Sequence, residues 1–162
     1  MPTTVYLPID LTNPRVASGY AGNSYWTVIS GSNWDMGTWE FISGNEGRVY
    51  GIVHIPNVIA GTPNPQISLV CQVPSNASGQ EIYFKVSAAS VASGTSTDPS
   101  LTADTAYSVT APAARTRFDF LSASGGNLGA AISGNAFLIV EISHSGPNIT
   151  NVLEALLRVD LS

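Results

Sequence analysis

Apolar and polar residues alternate along much of this chain, which is the pattern of a strand with one face buried in a sheet. Some segments alternate strictly, and others are short β-rich runs bounded by Gly, Ser, Asn or Pro. These segments are 25–29, 38–42, 49–55, 67–73, 82–87, 105–110, 117–121 and 137–142. The last of them is apolar enough to be buried on both faces. The pattern therefore predicts eight strands before residue 151.

The segment 151–161 fits two periods. Its odd-numbered residues from Leu153 to Leu161 are apolar and fit a strand, whereas a stripe through Val152 and Leu156 fits a helix, with Asn151 and Glu154 able to form a cap pair. Val159 falls off the helical stripe, and every other element is predicted to be β. We therefore predict a closing strand.

Eight or nine strands with no helical segment between them predict an all-β fold, an antiparallel, jelly-roll-like β-sandwich. Turn-rich stretches such as 56–65 and 122–134 join the strands. The packing between the sheets is predicted to use Leu69, Phe84, Phe118, Phe120, Phe137 and Ile139.

The first 25 residues differ in kind from the rest. They contain Pro2, Pro8 and Pro14 and only one short β-rich patch, Val5-Tyr6-Leu7. Such a segment buries little by itself, so we predict an extended arm that lies along its own sandwich or adds to a neighbouring subunit. This divides the chain into an arm, 1–25, and a sandwich domain, 26–162.

Charge is scarce. The 162 residues include six Lys and Arg and eleven Asp and Glu, a charged fraction of 10% where about a quarter is usual. A surface with so few charges favours a component of an assembly, whose partners cover part of it. The six basic residues are scattered, which argues against a nucleic-acid partner.

The chain also has no apolar run of the roughly 20 residues that cross a bilayer, and its start lacks the pattern of a signal peptide. We therefore expect no membrane partner and no secretory export.

Residues that could carry chemistry are few and dispersed. The single cysteine, Cys71, lies in an alternating apolar run and is predicted to be a buried small hydrophobe. His54 is predicted in a strand and His144 in the turn 143–147, without the spacing of metal ligands. The acids are spread along the chain, with Glu141 among those predicted on solvent faces or at subunit contacts. We therefore predict no enzyme, no catalytic or metal-binding residues and no cofactor.

Aromatic residues are densest between residues 20 and 39. Trp26 and Trp39 are interpreted as core residues, whereas Trp34 is expected to be exposed or interfacial, with Tyr20 and Tyr25 nearby. Such side chains stack on sugar rings or anchor protein interfaces.

From about Arg48 onwards, the order of features resembles a jelly-roll family of tailed-bacteriophage virion proteins. The matching pieces are a strand ending in Pro56, a paired strand, a Ser-Asn-Ala-Ser-Gly turn, a third strand, a long loop, Tyr107-Ser-Val109 and a final pair of strands. Where that family often carries an Arg-Asp-Gly type segment in its penultimate turn, this chain has His144-Ser-Gly-Pro147. The resemblance implies a virion surface part, typically a homotrimer.

Two functions follow as hypotheses. The first is a noncatalytic capsid cement or decoration protein on the outer surface of the capsid. It would be present in the host cytoplasm during assembly, form a homotrimer and clamp subunits of the major capsid protein. The alternative is a fibre or tail-tip module that recognises a host-surface carbohydrate or receptor through Trp34, Tyr20 and the loop 90–103. The candidate partner or oligomer contacts are Val5, Tyr6, Leu7, Tyr20, Trp34, Tyr107 and His144.

Overall fold

Ten β-strands make up the regular structure of the part of the chain described by a computed structural model. The residues described are 3–11, 24–30, 32–33, 35–42, 44, 46–57, 66–74, 79–97, 99–101, 105–121, 135–146 and 149–161. The strands are β1 (Thr3–Pro8), β2 (Ser24–Ser30), β3 (Asp35–Phe41), β4 (Gly47–His54), β5 (Gln66–Gln72), β6 (Glu81–Val91), β7 (Thr105–Thr110), β8 (Phe118–Leu121), β9 (Phe137–Ser145) and β10 (Thr150–Leu161).

The strands form two antiparallel sheets that face each other as a sandwich. One sheet has six strands, in the order β2-β3-β10-β5-β8 with β1 also paired to β10, and the other has four, in the order β4-β9-β6-β7. The described residues contain no helix, and therefore no helix long and apolar enough to cross a membrane. The predicted all-β sandwich is confirmed, and so is the strand at 151–161.

Alternation along each strand explains the core. In β5, Ile67, Leu69 and Cys71 are fully buried, and in β6 Ile82 and Phe84 are fully buried in the same way. These side chains meet between the sheets, where Phe84 contacts Phe41 and Phe120 at ring distances of 6.3 and 5.1 Å. Burial, with a smaller contribution from the charge of Asp119, raises the pKa of the Cys71 thiol, which keeps it protonated as a core residue.

The sequence analysis assigned the wrong row of β9 side chains, Phe137 and Ile139, to the packing between the sheets. Phe137 is 50% exposed, and Leu138, Val140 and Ile142 are the residues that are fully buried. Pairing decides the face: Leu138 lies opposite Val53 of β4, and Val140 lies opposite Gly51. The row that begins with Phe137 and Ile139 continues into Glu141 and Ser143, whereas Leu138, Val140 and Ile142 are all apolar, so the sequence of β9 itself favours the row that is buried.

Residues 3–11 lie along the chain's own sandwich, the first of the two placements considered for the arm. All six residues of β1 pair with β10, from Thr3 opposite Leu161 to Pro8 opposite Leu156. The chain then crosses to the other sheet: Ile9 and Leu11 are buried in the core, and Asp10 forms a bridge to Ile52 of β4.

The crossing segment can lie close to β4 because residue 51 is a glycine, Gly51. A Cβ at that position would lie 2.8 Å from Leu11 Cδ2 and 3.1 Å from the Asp10 carbonyl oxygen. Only the bare backbone of a glycine allows the crossing segment to lie so close to β4.

Candidate functional site

A cleft opens where β1 and β3 separate along one edge of β10. Residues 150–152 of β10 pair with β3, and residues 156–161 pair with β1. Between them, the register of β10 with β5 shifts from Val152 to Glu154, which leaves Leu153 as the extra residue of a bulge. Bulges of this kind re-aim side chains and often lie beside functional sites.

The cleft has a volume of about 370 Å³, at the lower end of the roughly 300–1,000 Å³ range of small-molecule pockets. Its walls come from four parts of the chain that are separated in sequence. The residues that line it are Pro8, Ile9, Asp10, Leu11, Trp26, Trp39, Val152, Leu153, Glu154 and Ala155.

Two tryptophans form its aromatic wall. Trp26 of β2 lies opposite Trp39 of β3, and their rings meet edge to face at 5.9 Å. Trp39 is 6% exposed, and its indole Nε1–H donates to the carbonyl oxygen of Leu11 at 2.9 Å. That bond ties the crossing segment to β3. Trp26, in contrast, is 50% exposed, so part of its ring surface is open to a ligand.

Gly37 provides the support on which the Trp26 ring lies. A Cβ at Gly37 would clash with Cζ2 of Trp26 and would approach its Cε2 to 3.1 Å. The indole therefore packs directly against the backbone of β3. A ring supported on one side by backbone and edge-on by Trp39 is held in place before any ligand binds.

The cleft lining includes two acidic residues, Asp10 and Glu154. Asp10 and Glu154 are both exposed, and the backbone of Asp10 is fixed by hydrogen bonds in both directions with Ile52, at 3.0 and 3.3 Å. Carboxylate oxygens accept hydrogen bonds from hydroxyl or ammonium groups. Glu154 lies opposite Val70 on the outward row of β10, whereas Trp26 and Trp39 are on the inward face of the sheet. The aromatic wall therefore offers a surface for the apolar face of a small ligand.

The predicted contact residues do not gather at this cleft. Val5 and Leu7 are half-buried and pack against the core, while Tyr6 is 52% exposed and lies opposite Arg158. Tyr107 lies in β7 opposite Phe84, and its side chain is outside what the structure describes.

Tyr20 and Trp34 lie outside the described residues, so their predicted roles remain predictions. The same holds for part of the loop 90–103, in which residues 98 and 102–103 are not described.

The structure corrects the predicted position and role of His144. The predicted turn at 143–147 is wrong at its start, because β9 continues to Ser145 and His144 is fully buried. Its ring lies 5.7 Å from Phe41 and 5.4 Å from Phe84, and its Nε2 is 3.2 Å from the hydroxyl oxygen of Thr150. Burial lowers the pKa of His144 from 6.5 to about 4. A side chain enclosed in the core does not contact a partner, so His144 leaves the set of candidate contacts.

The structure also corrects the predicted exposure of Glu141. It lies on the outer face of the four-stranded sheet, as expected, but it is only 3% exposed. Arg48 covers it, with Nη1 at 3.0 Å from a Glu141 carboxylate oxygen and Nη2 at 2.8 Å from Glu46. This ion pair makes Glu141 a structural residue of the sheet.

The interpretation of the two tryptophans is right for Trp39 and wrong for Trp26. The six-stranded sheet extends past the four-stranded sheet at β2, so Trp26 faces inward without being covered, and Val28 on the same face is 56% exposed. The described residues contain no group of three or more His, Cys, Asp or Glu side chains placed to hold a metal ion.

Comparison with known proteins shows the fold. No family profile matches the chain, and no curated protein matches it. Among solved structures, it is similar to the family 11 carbohydrate-binding module from Clostridium thermocellum, solved in complex with a β-1,3-1,4-mixed-linked tetrasaccharide. The TM-score is 0.52 at 13% identity, with 95% of this chain and 94% of that chain covered. This likeness shows a shared jelly-roll fold.

Two further likenesses have TM-scores below 0.5. One is with TmCBM61 in complex with β-1,4-galactotriose, at a TM-score of 0.48 and 10% identity, covering 91% of this chain and 89% of that one. The other is with the enzymatically active domain of tailspike protein 4 from bacteriophage CBA120, at 0.42 and 7% identity, covering 98% of this chain and 19% of that one.

Proposed function

We propose that this protein is a noncatalytic carbohydrate-binding β-sandwich, and that it binds sugar in the cleft between β1, β3 and β10. One observation carries the proposal: a tryptophan, Trp26, is 50% exposed at a cleft whose lining includes the second, buried tryptophan Trp39. A sugar ring has an apolar face of C–H groups and a rim of hydroxyl donors. An exposed aromatic face matches the first of those two features, and acceptor oxygens of the residues that line the cleft match the second.

The architecture of the cleft supports this assignment. The ring of Trp26 rests on Gly37 and against Trp39, and Trp39 is hydrogen-bonded to Leu11. These side chains are therefore already fixed before a ligand binds. Little conformational entropy is lost on binding, and such a loss would reduce the affinity directly. The fold shared with the family 11 module, which was solved with a bound tetrasaccharide, is consistent with the proposal.

This proposal takes up the alternative derived from the sequence and moves it to different residues. The sequence favoured Trp34 and Tyr20, whereas the described cleft is built around Trp26. Neither the described residues nor the comparisons offer an observation in favour of capsid cement. The homotrimer, the major capsid protein as partner and the virion location stay predictions of the sequence.

The test compares Trp26→Ala with a matched control, Phe137→Ala. Both aromatic side chains are 50% exposed, but Phe137 lies on the outer face of the other sheet, away from the cleft. We expect the wild type to bind members of a glycan array. Trp26→Ala should weaken that binding about thirtyfold in isothermal titration calorimetry, the effect of losing a central aromatic anchor. Phe137→Ala should bind as the wild type does.

Three results would contradict the proposal. The first is the absence of binding to any glycan, and the second is an equal loss of binding in the two variants. The third is the appearance of cleavage products when the bound oligosaccharide is recovered and analysed by mass spectrometry, which would show an enzyme. Melting temperatures of both variants establish that each is folded at the assay temperature.

A further inference from the structure

We propose that this protein forms a twofold dimer through β2, whose open edge pairs antiparallel with β2 of a second copy. The inference does not depend on the proposed function, because a single chain supplies all the residues that line the cleft. It follows from the composition of β2, from the side chains that this strand exposes, and from the symmetry of its sequence.

Strand β2 is the end strand of the six-stranded sheet. All seven of its residues, Ser24–Ser30, pair with β3 without a shift in register. In the part of the chain that the structure describes, no strand pairs with the other side of β2. An open strand edge presents backbone N–H and C=O groups that can form hydrogen bonds with another chain.

The sequence of β2 lacks the features that usually keep an edge strand unpaired. Ser-Tyr-Trp-Thr-Val-Ile-Ser contains no charged residue and no proline, which are the residues that protect exposed edges. The end strand on the opposite side of this sheet, β8, has four residues and includes Asp119. In the other sheet, β4 carries Arg48 and its edge is bridged by Asp10. These strands are protected, and β2 is not.

Strand β7, the other end strand of the four-stranded sheet, also lacks a charged residue. Its described side chains are Ser108, Val109 and Thr110, and Val109 packs against the core. These residues offer small polar groups and little apolar surface to a partner. The comparison therefore favours β2 over β7 as the interface.

Both faces of β2 expose apolar side chains. Trp26 and Val28, on the inner face, are 50% and 56% exposed, and Tyr25, on the outer face, is 43% exposed. The indole of Trp26 lies over Gly37 of β3, on the side away from the open edge. The cleft also lies on that side, between β3 and the residues of β10 that line it. A strand added to β2 would cover Val28 and leave the cleft open.

The order of residues in β2 favours a second copy of the same strand as the partner. Two identical antiparallel strands are related by a twofold axis, which passes beside Thr27 when the two strands overlap fully. The pairs across the axis are then Trp26 with Val28, Tyr25 with Ile29, Ser24 with Ser30, and Thr27 with itself. Aromatic residues paired with β-branched residues, and threonine paired with threonine, stabilise antiparallel sheets. The sequence of β2 is therefore complementary to itself.

The size of the interface predicts a weak dimer. A fully covered aromatic side chain buries about 200 Å², and about half of each ring residue in β2 is exposed. With Val28 and the backbone edge, each chain would bury about 400 Å², or about 800 Å² in total, where a standard interface buries about 1,600 Å². Small interfaces belong to reversible complexes, and here backbone hydrogen bonds contribute to the affinity as in other strand additions. The dimer should therefore dissociate on dilution.

The test places a charge on the twofold axis. Thr27 is half-buried on the outer face, and a charged replacement lies directly opposite its own copy if β2 pairs with itself in this register. We expect the wild type to approach the mass of two chains in sedimentation equilibrium as its concentration rises from about 1 μM to about 1 mM. Thr27→Lys and Thr27→Glu should each raise the dissociation constant of the dimer about fivefold at low salt.

A mixture of the two variants tests the symmetry itself. The mixed dimer places an ammonium group opposite a carboxylate, so it should form about fivefold more tightly than the wild-type dimer. Salt should reduce both effects, because it screens exposed charges. The matched control is Ser108→Lys, which puts the same charge at an exposed position of β7 and should dimerise as the wild type does. Melting temperatures establish that each variant is folded.

Four results would overturn the proposal. The first is the mass of one chain at the highest concentration. The second is the mass of three chains, because self-pairing of β2 is complete at two and this result would favour the homotrimer expected from the sequence. The third is a dimer that both Thr27 variants leave unchanged or that Ser108→Lys weakens equally. The fourth is a mixture of the two Thr27 variants that dimerises no more tightly than either variant alone.

Discussion

Lowering the pH should destabilise this fold through one residue, His144. In the folded protein its imidazole is enclosed between Phe41 of one sheet and Phe84 of the other, with the hydroxyl of Thr150 at Nε2. Desolvation is the cause of its lowered pKa, which is about 4 against a usual value of 6.5. The folded state therefore keeps His144 neutral at a pH where the unfolded chain has already protonated it.

The sign and size of the effect follow from that difference. Between pH 6.5 and about 4 the unfolded state binds one more proton than the folded state, so the free energy of unfolding falls as the pH falls. Each pKa unit corresponds to about 1.4 kcal/mol, which gives a loss of about 3 kcal/mol across the window. That is a large part of the roughly 5–15 kcal/mol by which a domain of this kind is stable.

The assay is urea unfolding at half-unit pH steps, for the wild type, His144→Gln and His54→Gln. Carboxylates also titrate at the acid end of this window, so the informative quantity is the difference between curves. The free energy of unfolding of His144→Gln should depend on pH less steeply than that of the wild type, by up to about 1.4 kcal/mol per pH unit. His54→Gln removes the other histidine, which is exposed on β4, and is the matched control for the loss of a histidine.

Direct titration of His144 by NMR in the intact protein gives an independent measurement, which remains decisive if His144→Gln does not fold. A folded-state pKa above 6 would refute the reasoning. So would a His144→Gln curve that runs parallel to the wild-type curve between pH 6.5 and 4.

Two further predictions concern the crossing segment and the assembly. Gly51→Ala should lower the free energy of unfolding by about 1–3 kcal/mol through overpacking, because the new Cβ would press on Leu11 and Asp10. The same displacement should weaken sugar binding. The control is Gly146→Ala, where the nearest atom is 3.6 Å away, and equal melting temperatures for the two variants would contradict the prediction. The homotrimer should elute with three times the mass of 16.9 kDa in size-exclusion chromatography with light scattering, and a mass of one chain at high concentration would rule it out.

The strands of this fold were predictable from sequence because burial on one face imposes alternation, as at Ile67, Leu69 and Cys71. The face of β9 was misassigned although its sequence holds the signal, because the Phe137 row continues into Glu141 whereas Leu138, Val140 and Ile142 are all apolar. Trp26 was misassigned for a different reason: its burial depends on how far the opposite sheet reaches, which no local pattern encodes.

The cleft was unpredictable for a stronger reason, because its walls come from residues 8–11, 26, 39 and 152–155. Their proximity results from long-range pairing and from the bulge at Leu153. The composition of the first 25 residues did point to an unusual segment, but nothing in it indicated that residues 8–11 would line a cleft with residues 152–155.

The position of β10 also constrains the order in which the molecule forms. Pro8 pairs with Leu156, 148 positions later in the chain. Strands β3 and β5 both pair with β10, which lies between them, so neither pairing can form before β10 is present. Pairings of such high contact order form slowly. During synthesis, the edges of β1, β3 and β5 that face β10 remain open until β10 has left the ribosome, and the cleft acquires its wall of residues 152–155 only then. Ligand binding would therefore report completion of the fold, whereas the hairpin of β2 and β3, with Trp26 on it, can assemble much earlier.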